Sequence, residues 1–279
     1  MFKCFNCSKQ FKGGQRLDNH VLWQEYTSGK QTYKELATRF GVSTRTIQRR
    51  LDKISVTPSF ISLSSCVVLM DTTYFGDRGV MVFKSALGQN LYWKHLRNES
   101  VAAYMDGLAH LVSKGVRIKA VVCDGKRGLF KALSGYPVQM CQFHQAAIVT
   151  RYITRKPKAE AAIELKEIVR LMPSTDKESF FGALKDWHDK WGEYIKERTV
   201  NPETGKTRYV HKRLRSAYLS LNRNKAYLFT WYDHMELGIP NTNNKLEGAF
   251  TDLKNKLRNH NGLNRIRRER FIDAFLSRK

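Results

Sequence analysis

The chain has 279 residues, enough for more than one compact domain, and 42% of them are hydrophobic, an ordinary share for a folded chain in water. Its 49 Lys and Arg against 25 Asp and Glu leave a formal charge of +24 at pH 7, which points to a polyanionic partner. No stretch approaches the about 18 consecutive apolar residues of a transmembrane helix, and no basic amphipathic helix stands alone at a terminus, so nucleic acid is preferred over a membrane surface.

The first residues, with Lys3, Cys4, Asn6, Cys7 and Lys9, lack the apolar core of a signal peptide, and the protein is expected to stay in the cytoplasm. Five cysteines (Cys4, Cys7, Cys66, Cys123 and Cys141) form no repeating framework and read as reduced thiols. Cys4-Phe-Asn-Cys7 has the spacing of one knuckle of a zinc ribbon, which supplies half of a tetrahedral zinc site. A second pair does not follow, and His20 is the lone further candidate ligand. Residues 1–20 are therefore read as a partial knuckle in which zinc at Cys4 and Cys7 stays open.

Thr32 to Phe40 carries helical apolar spacing, Gly41-Val42-Ser43 makes a turn, and Thr44 to Lys53 forms a second helix capped by Ser43. This is a helix-turn-helix pattern, assigned to residues 21–54. Ile47 and Leu51 face inward, which leaves Arg45, Gln48, Arg49 and Asp52 outward; Gln and Arg are residue types that read base edges or phosphates. Ile54 to Ser65 reads as a linker.

Val67 to Phe75 is an apolar, β-branched strand covered on both faces, and Asp71 interrupts it. An ionised carboxylate there costs several kcal/mol unless a cation or donors meet it, so it needs partners. Val80–Ser85 and Leu91–Leu96 continue as an antiparallel meander. A helix from about Glu99 to Lys114, with Asn98 as cap and Gly115 as stop, leads to a strand at Arg117–Cys123. A strand reached through a crossover helix lies parallel in its sheet, and ligands gather at the carboxyl ends of such strands, where Asp124 stands. Pro137–Cys141 is a fifth strand; Cys141 and His144 have Cys-x-x-His spacing, read either as part of a second or structural site or as a buried thiol and a histidine at a helix start.

From about Lys158 to Gly238 the pattern is helical: Thr175 and Glu178 form a capping box, and Phe180, Leu184, Trp187, Trp191 and Ile195 make a core stripe. Thr199–Val210 reads as a polar loop. A last helix opens at Pro240-Asn241-Thr242 and buries Leu246, Ala249, Phe250, Leu253 and Leu257, with Glu247 at the edge of that face on a stripe shared with Lys254 and Arg258.

With Met70-Asp71-Thr72-Thr73-Tyr74, Val122-Cys123-Asp124-Gly125, Cys141-Gln-Phe-His144 and Thr242-Asn243-Asn244-Lys245-Leu246-Glu247 in this order, the chain resembles the DDE transposases of the IS256/Mutator type, from about residue 30 to 270. The gap from Asp124 to Glu247 is 247 minus 124, or 123 residues, and holds the helical segment. The resemblance implies an α/β fold, a ribonuclease H-like mixed sheet with an all-α insertion, preceded by a small helix-turn-helix domain. It divides the chain into a catalytic core at 66–156, the insertion at 157–239, and a last core helix with a basic tail at 240–279. It further implies Asp71, Asp124 and Glu247 as catalytic and metal-binding residues, Mg²⁺ or Mn²⁺ as cofactor, and Arg45, Gln48, Arg49, Lys254 and Arg258 on DNA, with the basic tail through Arg265, Arg267, Arg268 and Arg270 positioning phosphates. The partners implied are double-stranded DNA, as element ends and target, and further copies of the chain, on the nucleoid of a bacterium. Gly248 follows Glu247 where the family usually has Arg. Two other readings are a catalytically inactive, transposase-derived DNA-binding regulator and a structure-specific nuclease.

Overall fold

The structure of the protein is a computed structural model that describes residues 2–11, 17–29, 31–56, 63–260 and 263–277. Residues 57–62 of the expected linker lie outside the described residues. The chain divides into two compact units, Phe60–Gly248 and a smaller one that joins Met1–Ser59 to Ala249–Lys279.

The smaller unit begins with a hairpin of β1 (Phe2–Lys3) and β2 (Gln10–Phe11), whose turn carries Cys4 and Cys7. Helix α1 (Asn19–Thr27), not anticipated from the sequence pattern, starts at Asp18, whose carboxylate accepts from the His20 amide at 2.7 Å. Helix α2 (Tyr33–Phe40) opens on a reciprocal box in which the Thr32 hydroxyl accepts from the Glu35 amide and the Glu35 carboxylate from the Thr32 amide. It stops at Gly41, whose φ of 63° is left-handed and favours glycine. Ser43 then caps α3 (Thr44–Leu51). Leu22, Leu36, Ile47 and Leu51 form the buried face of the three helices.

The larger unit is built on a five-stranded mixed sheet. Strands β3 (Ser65–Phe75), β4 (Arg78–Ser85) and β5 (Asn90–Leu96) form an antiparallel meander. Helix α4 (Val101–Ser113) crosses over to β6 (Arg117–Cys123), which returns parallel to β3. The short helix α5 (Leu129–Ala132) leads to β7 (Val138–Met140), parallel to β6. The order β5-β4-β3-β6-β7 makes β3 the middle strand, and Val68, Leu69 and Met70 are fully buried there. Ser100, not Asn98, caps α4: its hydroxyl accepts from the Ala103 amide, and the helix starts two residues later than the sequence pattern implies.

Helices α6 (Gln142–Ile153), α7 (Glu160–Leu171), α8 (Lys177–Trp191), α9 (Lys212–Leu228) and α10 (Thr230–Asp233) share a second core. Trp187 and Trp191 belong to it; their indole N–H groups donate to the Ala161 carbonyl and the Glu164 carboxylate. Two expectations here are corrected. Asp176, rather than Thr175, caps α8, because a carboxylate accepts both the Ser179 amide and hydroxyl at 2.7 Å. The segment expected as an all-α insertion with a polar loop at 199–210 contains a hairpin, β8 (Arg198–Val200) and β9 (Thr207–Tyr209), its turn folded on Asn201, which accepts from the amides of Glu203 and Thr204.

The last two helices are α11 (Asn244–Arg258) and α12 (Arg265–Leu276). Residues 240–243 run ahead of α11, which starts later than Pro240 because Asn241 and Asn243 are engaged in the sheet region described below. Leu246, Ala249, Phe250 and Leu253 are buried, whereas Leu257 is only half-buried. Residues 240–279, expected as one piece with the catalytic core, are divided: from Ala249 on they belong to the smaller unit, where Phe271 of α12 meets Tyr26 edge-on and Ile272 and Phe275 are buried. Asp52, expected to face outward, receives two bonds from Arg267, at 2.9 and 2.7 Å, and one from Arg270 at 3.3 Å. Those bonds from Arg267, ahead of the charges around it, hold the Asp52 carboxyl below its usual range. Two arginines assigned to phosphates thus already meet a carboxylate.

Gly107 on α4 is fixed by packing: a methyl group there would stand 2.1 Å from Phe83 Cζ. Gly107→Ala is expected to destabilise the larger unit by about 1–3 kcal/mol through overpacking. Gly182→Ala on α8, with nothing within 4 Å of the added carbon, is expected to gain about 0.5–1 kcal/mol. Thermal unfolding of the two variants, moving in opposite directions, checks both.

Candidate active site

Asp71 lies on the middle strand, where only 7% of the residue is exposed. The parallel ladder between β3 and β6 ends at the pair Leu69 and Val122. Two residues further along each strand stand Asp71 and Asp124, so the strand register brings both carboxylates to one level at the carboxyl edge of the sheet. Asp71 Oδ1 accepts from the Thr72 amide at 2.7 Å, and Asp124 Oδ1 from the Lys126 amide at 3.2 Å.

Glu247 reaches the same edge through a set of bonds that the sequence pattern does not reveal. The Gln142 amide donates to the Asn241 carbonyl at 2.9 Å, the Asn243 amide to Cys141 Sγ at 3.2 Å, and Asn243 Nδ2 to the Met70 carbonyl at 3.4 Å. The Glu247 amide in turn donates to the Asn243 carbonyl at 3.0 Å. Asn243 is fully buried, and its Oδ1 has no partner among the described residues. The segment before α11 is therefore fastened at once to β3 and to the junction of β7 and α6. Asn241 and Asn243 are the positioning residues missed from sequence; their one signal was an Asn-Thr-Asn-Asn run ahead of a helix start, which ordinarily reads as capping.

His144, in the first turn of α6, stands between the two acids: its Nε2 is 3.3 Å from Glu247 Oε1 and 3.8 Å from Asp71 Oδ2. Ligand atoms of Asp71, His144 and Glu247 all fall within 4.8 Å of one another. Among the described residues this is the one group of three or more His, Cys, Asp or Glu side chains so arranged. Asp124 stays outside it, its Oδ1 turned to its own loop, but its charge reaches Asp71 and His144. Burial pushes the Asp71 carboxyl well above its usual range, and the neighbouring Glu247 and Asp124 push it further. For His144, burial works against the charged ring, but the Cys141 sulfur, Glu247 and Asp124 outweigh it and raise its pKa.

Further out, the Tyr104 hydroxyl donates to Glu99 Oε1 at 2.8 Å and lies 3.1 Å from the Thr72 hydroxyl, which ties α4 to the strand that carries Asp71. Of the other candidates, Arg45 and Arg49 are exposed on α3 with Gln48 half-buried between them, and Lys254 and Arg258 are exposed on later turns of α11. Cys4 and Cys7 are free thiols, and the amides of Cys7 and Asn6 lower the Cys4 pKa. They gain no third ligand among the described residues, so the structure adds nothing to half of a zinc site.

The donor set suits a divalent cation. Two carboxylates that converge while one of them is buried repel each other unless a positive charge lies between them, and carboxylate oxygen is the ligand of Mg²⁺ and Mn²⁺.

Residues 84–211 match the model of the family described as Transposase, Mutator family. The matched stretch contains Asp124, Cys141 and His144 and leaves Asp71 and Glu247 outside it. No curated protein matches the chain. Among solved structures, the chain is similar to one in the cryo-electron-microscopy structure of the simian T-cell lymphotropic virus intasome in complex with PP2A regulatory subunit B56 gamma. The identity is 12% and the TM-score 0.23, over 72% of this chain and 68% of that one. A likeness that slight does not bear on function.

Mn²⁺ at a hundred times its dissociation constant is expected to stabilise the wild-type chain by about 2.7 kcal/mol. Asp71→Asn is expected to lose that response and, without metal, to be more stable than wild type by an amount on the order of 1 kcal/mol, because it removes a buried carboxyl that the half-buried Glu247 repels. Differential scanning calorimetry with and without Mn²⁺ measures both effects.

Proposed function

We propose that the chain is a DNA transposase of the Mutator type, which binds the ends of its element and catalyses metal-dependent strand cleavage and strand transfer. The observation that carries this reading is the meeting of Asp71 and Glu247, 247 minus 71 or 176 residues apart, beside Asp124 at the edge of a mixed sheet. The match of residues 84–211 to a transposase family and the +24 charge support it. The strand order and the helical segment between Asp124 and Glu247 fit a ribonuclease H-like core.

Asp71 and Glu247 would hold the metal, with Asp124 contributing charge from the adjacent strand. When bound, a divalent ion lowers the pKa of water and stabilises a leaving oxygen in phosphoryl displacement. In the first step a water oxygen bonds to phosphorus as the phosphorus–O3′ bond breaks, which leaves a 3′-hydroxyl and a 5′-phosphate. In the second, that 3′-hydroxyl attacks a phosphodiester of the target and expels its 3′-oxygen. No covalent bond to the protein forms. His144 lies within reach of both acids and keeps them together before the ion arrives, and Thr72 and Tyr104 keep the strand that carries Asp71 in place.

Helices α2 and α3 would form a helix-turn-helix in which Arg45, Gln48 and Arg49 face DNA, and Lys254 and Arg258 would meet phosphates. Cleavage at two element ends calls for more than one copy of the chain on DNA.

The test is a nicking and joining assay on duplexes that carry the DNA ends flanking the coding sequence, with Mg²⁺ or Mn²⁺ and with EDTA. Asp71→Ala, Asp124→Ala and Glu247→Ala are each expected to lower nicking at least about 100-fold while end binding persists. Full nicking by any of the three sinks the triad. An Arg45→Ala, Arg49→Ala double variant is expected to weaken end binding and flatten its dependence on salt.

A further inference from the structure

Beside the candidate active site, within the larger unit, a cavity of about 710 Å³ opens between the loop after β6 and helices α6 and α9. Lys126, Arg127, Arg151 and Arg223 line it together with Phe130 and Tyr152. Lys126 faces Glu99 at 3.7 Å, whereas Arg127, Arg151 and Arg223 are exposed and form no ion pair among the described residues. Three arginines converge on a hollow with no acid of their own, which is the arrangement for a bound anion.

The floor is polar and rigid. Ser220 and Asn224, both buried, are tied through Gln145, whose Nε2 donates to Ser220 Oγ at 3.0 Å and whose Oε1 accepts from Asn224 Nδ2 at 2.7 Å. Gly125 closes the end nearest the sheet, where a methyl group would stand 2.7 Å from Met140 Cε. The walls are aromatic: Phe130 stacks on Tyr227 at 4.2 Å, and Tyr152 is 37% exposed. Tyr152 also borders a second cavity of about 510 Å³, which adds Lys156 and Lys212, so the basic path continues past it.

Helix α6 ties this hollow to the acids. His144 stands between Asp71 and Glu247, and Arg151, seven residues on, is displaced along the axis by about 10 Å. That is about three nucleotide steps of a strand in duplex geometry. The outer backbone of an intact duplex needs only a ridge of cations, whereas a concave site with aromatic walls and a polar floor admits a nucleotide that has left its stack.

We propose that this cavity binds an unpaired nucleotide of the DNA strand about three positions from the cleaved phosphodiester. Arg127, Arg151 and Arg223 hold its phosphates, and Tyr152 stacks on its base. The position relative to the cut rests on the transposase reading; binding of unpaired DNA does not.

Fluorescence anisotropy with a labelled 12-nucleotide oligothymidylate, and with a mixed-sequence duplex of the same length, tests the site on the full chain. An Arg151→Ala, Arg223→Ala double variant is expected to lose at least tenfold in affinity for the single strand and less than threefold for the duplex. Tyr152→Ala is expected to lose roughly five- to a hundredfold for the single strand alone. All three side chains are partly or fully exposed, and unchanged thermal unfolding of the variants shows that the fold is kept. Equal losses for both probes, or no loss for either, would overturn the proposal. Crosslinking of 5-iododeoxyuridine placed three nucleotides from the nick to Tyr152 is the expected result for the position, and crosslinking only elsewhere overturns that part. If the wild type discriminates the two probes but never nicks DNA, the transposase reading fails and the cavity stands.

Discussion

The larger unit depends on a repulsion held in place. Asp71 is a buried acid on the middle strand of the sheet, and Glu247 is brought against it by a helix 176 residues later (247 minus 71). Burial, and after it the like charge of Glu247, drives the Asp71 pKa up, and the two acids would separate if either were free to move. Neither is. Asp71 is fixed by antiparallel pairing with Val82, and Glu247 by the bonds that run from Asn243 to the Met70 carbonyl and the Cys141 sulfur. A fold that keeps such a pair together carries a cost of several kcal/mol in the absence of a counter-charge, and His144 supplies only part of one.

The strand pattern was legible because burial on both faces leaves an apolar signature with period-independent content. Val67 to Met70 reads as a covered strand, and the meander and the crossover follow from turn residues and one amphipathic helix. The parallel return of β6 then fixes Asp124 level with Asp71 by register alone. Helix starts were less legible. Asn98 against Ser100 and Thr175 against Asp176 are choices between neighbouring side chains with the same chemistry, which only the local backbone decides. The hairpin at 198–209 was missed because three-residue strands are shorter than any periodicity. The division of the last 40 residues was missed for another reason: α12 has apolar residues to bury, but nothing in its sequence says which unit they join.

At the candidate site the types of residue were readable and their grouping was not. Asp71, Asp124 and Glu247 could be picked out as acids at strand ends or helix edges. The cluster in the structure is Asp71, His144 and Glu247, with Asp124 outside it at the end of the adjacent strand, its Oδ1 accepting from the Lys126 amide. His144 lies three residues after Cys141, and that spacing puts the two side chains on one face of the first turn of α6: the sulfur turned to Asn243, the imidazole to the acids. The Cys-x-x-His pair thus joins the segment before α11 to the acids, and the Cys141 sulfur also raises the His144 pKa.

Electrostatics also sorts the basic residues, which composition cannot do. Arg267 and Arg270 lie in the part of the chain densest in positive charge, yet both are engaged with Asp52 and add to the packing of the smaller unit. Arg127, Arg151 and Arg223 are spread over 96 residues (223 minus 127) and look incidental in the sequence, yet they line one hollow with no acid in its lining among the described residues. An arginine already paired offers an approaching phosphate little, since the new contact must replace the old one, whereas an unpaired arginine on the wall of a cavity gives its full charge in a place where water is partly excluded. Local charge balance, more than charge density along the chain, therefore decides where a polyanion is held.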